Sequence, residues 1–168
     1  MSFKKKSYTP LRRRIGEYRV PALPGFCVSD LFVADTSDNA RVKLESIYAN
    51  FPEEFGSMVV APHPGSALFC YELRHKVEDR NVVEAVGGVD KAFISLAEVY
   101  WLLEQGLIGT GERTQGAMVR WTDNLYIKNS AGQQFNVHFF FGEKAPCISS
   151  KPFNRYICMG KNRVWVRR

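Results

Sequence analysis

Four cysteines and three histidines are the residues of this 168-residue chain with the most obvious capacity for nucleophilic or metal chemistry. Cys27, Cys70, Cys147 and Cys158 contain no C-x-x-C pair, and His138, Cys147 and Cys158 are separated by eight and ten residues, a spacing foreign to zinc fingers and ribbons. The expectation is therefore buried, reduced thiols without a metal, because an unpaired cysteine packs as a small hydrophobe. Cys70 and His138 on neighbouring strands would make a nucleophile and its base, but only adjacency in the fold creates such a pair. His63 lies in a Pro62-His63-Pro64-Gly65 turn, and His75 continues the apolar face of a strand. Gly106, Gly109 and Gly111 follow a helix, whereas a dinucleotide fold places its glycine turn between strand and helix. The Walker A, G-x-S-x-G and H-E-x-x-H patterns do not occur. The acidic pairs Glu53-Glu54 and Glu78-Asp79 lack the second cluster a two-metal site needs, and they read as solvated turns or helix N-terminal charges. No catalytic residue, metal or cofactor is assigned on these grounds, and a small enzyme with a Cys/His or carboxylate site is the least favoured reading.

Charge is more informative. Residues 1–14 carry Lys4, Lys5, Lys6, Arg12, Arg13 and Arg14 with no acid, and residues 151–168 carry Lys151, Arg155, Lys161, Arg163, Arg167 and Arg168 with no acid. All 17 acidic residues lie between, so the formal net charge of +6 conceals an acidic body with two basic ends. Residues 1–14, interrupted by Pro10, are expected as a flexible arm able to lie along a phosphate backbone, with Tyr8 placed to stack on a base. A solvated tail, or an arm docked on the acidic body of its own or a neighbouring subunit, would carry the same composition. The favoured function is a non-enzymatic protein that binds a polyanion, nucleic acid or a nucleoprotein, through Lys4, Lys5, Lys6, Arg12, Arg13, Arg14, Arg163, Arg167 and Arg168. Their role would be phosphate neutralisation rather than base readout. The alternative is a protein–protein module whose basic ends dock on an acidic partner or a neighbouring subunit.

These residues must be positioned by a fold, and its class is readable. Hydrophobic residues at 45% and charged residues at 24% are those of a globular chain. No apolar run reaches the roughly 18–20 residues of a membrane span, and no apolar stretch follows the basic N-terminus as a secretory signal requires. A soluble, cytoplasmic protein in a reducing compartment is the expectation. Leu44, Ile47, Tyr48 and Phe51 fall at helical spacing ahead of Pro52. In residues 67–77, Ala67, Phe69, Tyr71 and Leu73 alternate with Glu72, Arg74 and Lys76, a half-buried strand with a solvated charged face. Asp79–Val86 predicts a short helix stopped by Gly87-Gly88. Ser95-Leu96-Ala97-Glu98 is a capping box, flanked by the Ile94 and Val99 staple, and it opens a helix that Gly106 stops. Residues 117–121, 125–128 and 135–141 predict a three-stranded meander, with residues 147–153 as loop and two short strands near 156–159 and 164–166. The sum is one α+β domain over residues 15–168: a mostly antiparallel sheet with two to three helices packed on one face.

Val86-Gly87-Gly88, Leu96-Ala97-Glu98-Val99-Tyr100 with Leu102 and Glu104-Gln105, Gly116-Ala117-Met118, Asn124-Leu125-Tyr126-Ile127 and Ser130-Ala131-Gly132 form a pattern from about Ala67 to the C-terminus. In these residues the chain resembles a group of small bacterial proteins of unknown function. They are caps, core positions and turns, so the resemblance implies a shared fold and says nothing of chemistry. The N-terminal third lies outside it.

Overall fold

The computed structural model describes residues 9–74, 77–114, 117–120, 122–154, 157–158 and 162–168. The elements run β1 (Leu11–Val20), β2 (Phe26–Cys27), α1 (Val28–Leu31), β3 (Ser46–Ile47), α2 (Asn50–Phe55), β4 (Val59–Val60), β5 (Ser66–Leu73), β6 (Val77–Glu78), α3 (Asp79–Ala85), α4 (Val89–Ala92), α5 (Leu96–Glu104), β7 (Gly111–Thr114), β8 (Ala117–Arg120), β9 (Thr122–Lys128), β10 (Gln134–Phe141), β11 (Pro146–Pro152), β12 (Ile157–Cys158) and β13 (Asn162–Arg167). The main sheet has seven strands in the order β1-β5-β13-β9-β10-β11-β3. The β13–β9 and β11–β3 pairs are parallel and the other four are antiparallel. The chain is α+β with a mostly antiparallel sheet, as its sequence predicts. Among the described residues no helix is long and apolar enough to cross a membrane.

Both faces of this sheet are covered, which strand periodicity did not anticipate. Leu68, Cys70, Leu125, Ile127, Val137 and Trp165 point to a core shared with Phe51 and Phe55 of α2 and with Leu96, Val99, Leu102 and Leu103 of α5. Leu73, Tyr126, Val164 and Val166 point the other way, against Val82 and Val83 of α3 and Ala92 of α4. The helices therefore divide between the two faces instead of sharing one. For β5 the consequence is direct: it lies between β1 and β13, its Glu72 is buried, and the expected solvated face is core.

The capping box forms as predicted. Ser95 Oγ accepts from the Glu98 N–H at 3.3 Å, and Ser95 N–H donates to Glu98 Oε2 at 2.6 Å. Gly87 and Gly88 end α3 with φ of 100° and 105°, values that favour glycine. The helical spacing of Leu44, Ile47, Tyr48 and Phe51 is produced instead by β3 followed by α2, in which Pro52 occupies the first turn, where no N–H is needed. The meander is one strand later than predicted. β9, β10 and β11 form it, residues 147–152 are strand rather than loop, and residues 117–120 pair with β7 in a separate ribbon. The last predicted strands also separate: β12 pairs with β6, while β13 enters the centre of the main sheet.

Candidate functional site

The arginine half of the expected arm is strand. Arg12, Arg13 and Arg14 belong to β1, which pairs with β5 and forms one edge of the seven-stranded sheet. Register shifts between Leu11 and Arg13, and between Arg14 and Gly16, place two residues of β1 opposite one of β5. The first shift lets consecutive arginines reach one carboxylate: Arg12 Nη1 and Arg13 Nε donate to Glu72 at 2.7 and 2.8 Å. Burial would raise the Glu72 pKa, but the two arginine hydrogen bonds outweigh it and hold the carboxyl below its ordinary range. Arg14 lies 3.8 Å from Glu17 and over the Phe69 ring at 4.8 Å, and Arg168 donates to Glu17 at 3.2 Å. Despite these partners the side chains of Arg12, Arg13, Arg14 and Arg168 are 61%, 68%, 52% and 64% exposed. Arg19, which sequence reasoning did not select, is exposed on the same strand. Lys4, Lys5, Lys6 and Tyr8 lie outside the described residues.

Arg163 is a different kind of cation. Cross-strand register sets Arg13 opposite Glu72, Glu72 opposite Arg163, and Arg163 beside Asp123, so charges alternate across four strands. Arg163 Nε and Nη2 form a two-pronged pair with Asp123 at 2.7 Å each, and Nη2 also donates to Leu107 O and Thr110 Oγ1. Asp123 is fully buried and further accepts from Trp165 Nε1 and the Gly109 N–H. At Gly109 (φ 65°) a Cβ would strike Pro146, so the turn closes only on glycine. Arg163 thus fastens the turn after α5 to the sheet and is not an exposed phosphate contact. Burial opposes its charge, while Asp123 more than compensates and raises its pKa.

Arg167 is held by the capping carboxylate. Its Nε and Nη2 donate to Glu98 Oε1 and Oε2 at 3.2 and 2.9 Å, and Ser66 Oγ donates to Oε1 at 2.6 Å. Glu98 is fully buried; desolvation raises its pKa, but bonds from Arg167, Ser66 and Ser95 more than offset this and lower it. His63 Nε2 lies 3.6 Å from Glu98 Oε1, beyond hydrogen-bonding distance, with its side chain 10% exposed. The His63 side chain is thus turned inward while Pro62 and Pro64 stay exposed, and the turn is pinned by backbone bonds between His63 and Leu23 in both directions.

On the opposite face lies a polar network that sequence reasoning missed. Asp79 Oδ1 accepts from Tyr126 Oη at 3.1 Å and Asn136 Nδ2 at 2.7 Å. Asn136 Nδ2 also donates to Asn124 Oδ1 at 3.4 Å, and His138 Nδ1 lies 3.3 Å from that oxygen. A carbonyl oxygen only accepts, so the proton of neutral His138 sits on Nδ1. Desolvation pushes the Asp79 carboxyl up to about 6 against the hydrogen bonds of Asn136, Tyr126 and Asn154, and it pulls the His138 imidazole down to about 3, with Lys151 acting in the same sense. The recoverable signal was the register of Asn124, Tyr126, Asn136 and His138 at alternate positions of two paired strands. Asp79 opens α3, as the helix N-terminal reading of Glu78-Asp79 has it, but its burial was invisible without the fold.

The remaining candidates do not converge. Cys70 shares a face with Trp165, whereas His138 is in register with Asn124 on the other, and β13 and β9 stand between their strands. Burial raises the pKa of the Cys70 and Cys147 thiols, leaving both protonated, while Cys27 is exposed. His75 and the Cys158 side chain lie outside the described residues. Among the described residues no three His, Cys, Asp or Glu side chains gather as a metal site.

The site is therefore defined by class alone, as an arginine-bearing edge strand on an α+β sheet. No protein family, curated protein or solved structure matches this chain.

Proposed function

We propose that the protein binds a polyanion, nucleic acid foremost, along the basic edge formed by Arg12, Arg13, Arg14, Arg19 and Arg168, with Lys4, Lys5 and Lys6 continuing the charge in sequence. The observation that carries this reading is the exposure of more than half of each of the Arg12, Arg13, Arg14 and Arg168 side chains on or beside a strand that, among the described residues, pairs on one side only. Strand residues rise about 3.3 Å each, so Arg12 to Arg19 spreads cations over roughly 23 Å, a length suited to a run of phosphates. Arg163 drops out of the contact set because it is buried against Asp123, and Arg167 because it lies on β13, with β5 between it and the β1 edge.

The test is anisotropy of a labelled random-sequence oligonucleotide titrated with the full chain at several salt concentrations. Truncation at residue 15 would remove part of β1, so the informative variant is Arg12→Gln with Arg14→Gln and Arg168→Gln, which leaves Arg13 to hold Glu72. Binding should weaken steeply with salt, and the variant's log–log salt slope on duplex should be shallower by about 0.9 for each phosphate contact removed. Affinity that ignores salt, or is equal in the variant, overturns the reading.

A second reading has its own support. Among the described residues β1 pairs on one side only, so its outer backbone N–H and C=O groups can accept an extended, acidic segment of a protein partner or a neighbouring subunit. Sedimentation with and without the triple substitution reads self-association of this kind directly.

A further inference from the structure

A cleft away from the basic edge is built for a different ligand. It opens between residues 58–63, the α4–α5 junction and the end of β13, with a volume of about 450 Å³, within the range of small-molecule sites. Val60, Phe93 and Ile94 line it with apolar surface, and His63 and Arg167 line it with polar groups. Glu98 uses two of the five N–H donors of Arg167, so the guanidinium is fixed in place with three donors left. Such an anchored head costs a ligand little ordering entropy. His63 Nε2 is enclosed, without a hydrogen-bond partner and 3.6 Å from Glu98 Oε1, so the imidazole backs the Arg167–Glu98 pair from the wall of the cleft. Exposed Lys128 also lines the cleft, its ammonium 5.6 Å from the Phe93 ring centroid.

Formal charges at the cleft balance: Arg167 and Lys128 stand against buried Glu98 and the lining Asp90. A dianionic phosphate would meet the Glu98 carboxylate directly behind Arg167, whereas a monoanion meets a fork of directed donors. We propose that this cleft binds a small monocarboxylic acid, its carboxylate on Arg167 with Lys128 assisting, and its compact apolar body against Val60, Phe93 and Ile94.

The test is a ¹H–¹⁵N NMR titration of the full chain with benzoate, using benzyl alcohol as the neutral control. Benzoate should shift the amides of His63, Phe93, Ile94 and Arg167 saturably, with the alcohol about tenfold weaker. Because the lining is balanced, affinity should change little between about 50 and 200 mM salt, unlike that of a phosphate-tracking surface. Arg167→Lys should lose about tenfold by breaking the fork. If that variant unfolds, Lys128→Gln, at an exposed position, should still weaken benzoate severalfold. Non-saturating shifts, equal shifts with the alcohol, shifts centred on β1, or full affinity in every folded variant overturn the proposal.

Discussion

Arg163 and Arg14 carry the same guanidinium, yet the fold gives them opposite uses. Arg163 is 13% exposed and forked onto a fully buried carboxylate, while Arg14 is 52% exposed, 3.8 Å from a half-exposed glutamate. The first sits on an interior strand of a sheet covered on both faces; the second sits on an edge strand. A charge inside must be matched atom by atom, because low polarisability makes an unpaired ion costly. A charge at the edge is screened and free to trade partners. Position in the sheet, and not residue type, separates a structural cation from one available to a ligand.

The sharpest way to break this contrast is Arg163→Leu. It strands Asp123 in the core and should cost about 3–5 kcal/mol in urea unfolding. A cost no larger than that of an edge substitution would dissolve the distinction.

Next in size is the pH response of the buried network that holds Asp79 and His138. Asp79 titrates at about 6 when folded and at 3.8 when exposed, so between those values the folded chain holds the extra proton and stability falls as pH rises. His138 acts in the reverse sense: it stays neutral down to about 3 while the unfolded chain protonates below 6.5, so stability falls as pH falls through that window. Asp79→Asn removes the opposing contribution, and the acid-side loss between pH 7 and pH 4 should deepen by an amount on the order of 3 kcal/mol. His138→Gln should flatten the same curve. Chemical denaturation across pH reads both.

Ser95→Ala tests an intermediate case, a cap that also bonds the carboxylate holding Arg167; the expected loss is about 1 kcal/mol by thermal or urea unfolding. At the bottom of the series, Arg14→Gln should move stability by less than about 0.5 kcal/mol while still reducing oligonucleotide affinity. An Arg14→Gln variant that unfolds the protein would show that the edge is structural after all.

What could be read in advance follows the range of the interactions. Helix α5 was legible because Ser95 and Glu98 are three residues apart and their bonds are local. Residues 44–51 misled because the spacing of a helix face is also met by a short strand, a turn and a helix start whose apolar residues reach one core. The burial of Glu72 and Asp79 was hidden for the same reason: each is enclosed by partners far along the chain, Glu72 by Arg12 and Arg13, and Asp79 by Tyr126 and Asn136. The cleft could not be seen at all, since residues 58–63, the α4–α5 junction and Arg167 meet only on folding.

By itself the sequence determined the α+β class, the capped α5, the glycine stops and the segregation of positive charge to the ends, all consequences of local propensity, alternation and composition. The tertiary structure decided which arginines are held by buried carboxylates and which stand at the open edge. Strand order and register are set by burying apolar faces across long separations, and that burial placed Asp123 under Arg163 and Glu98 under Arg167 while leaving Arg12, Arg13, Arg14 and Arg168 largely open to solvent.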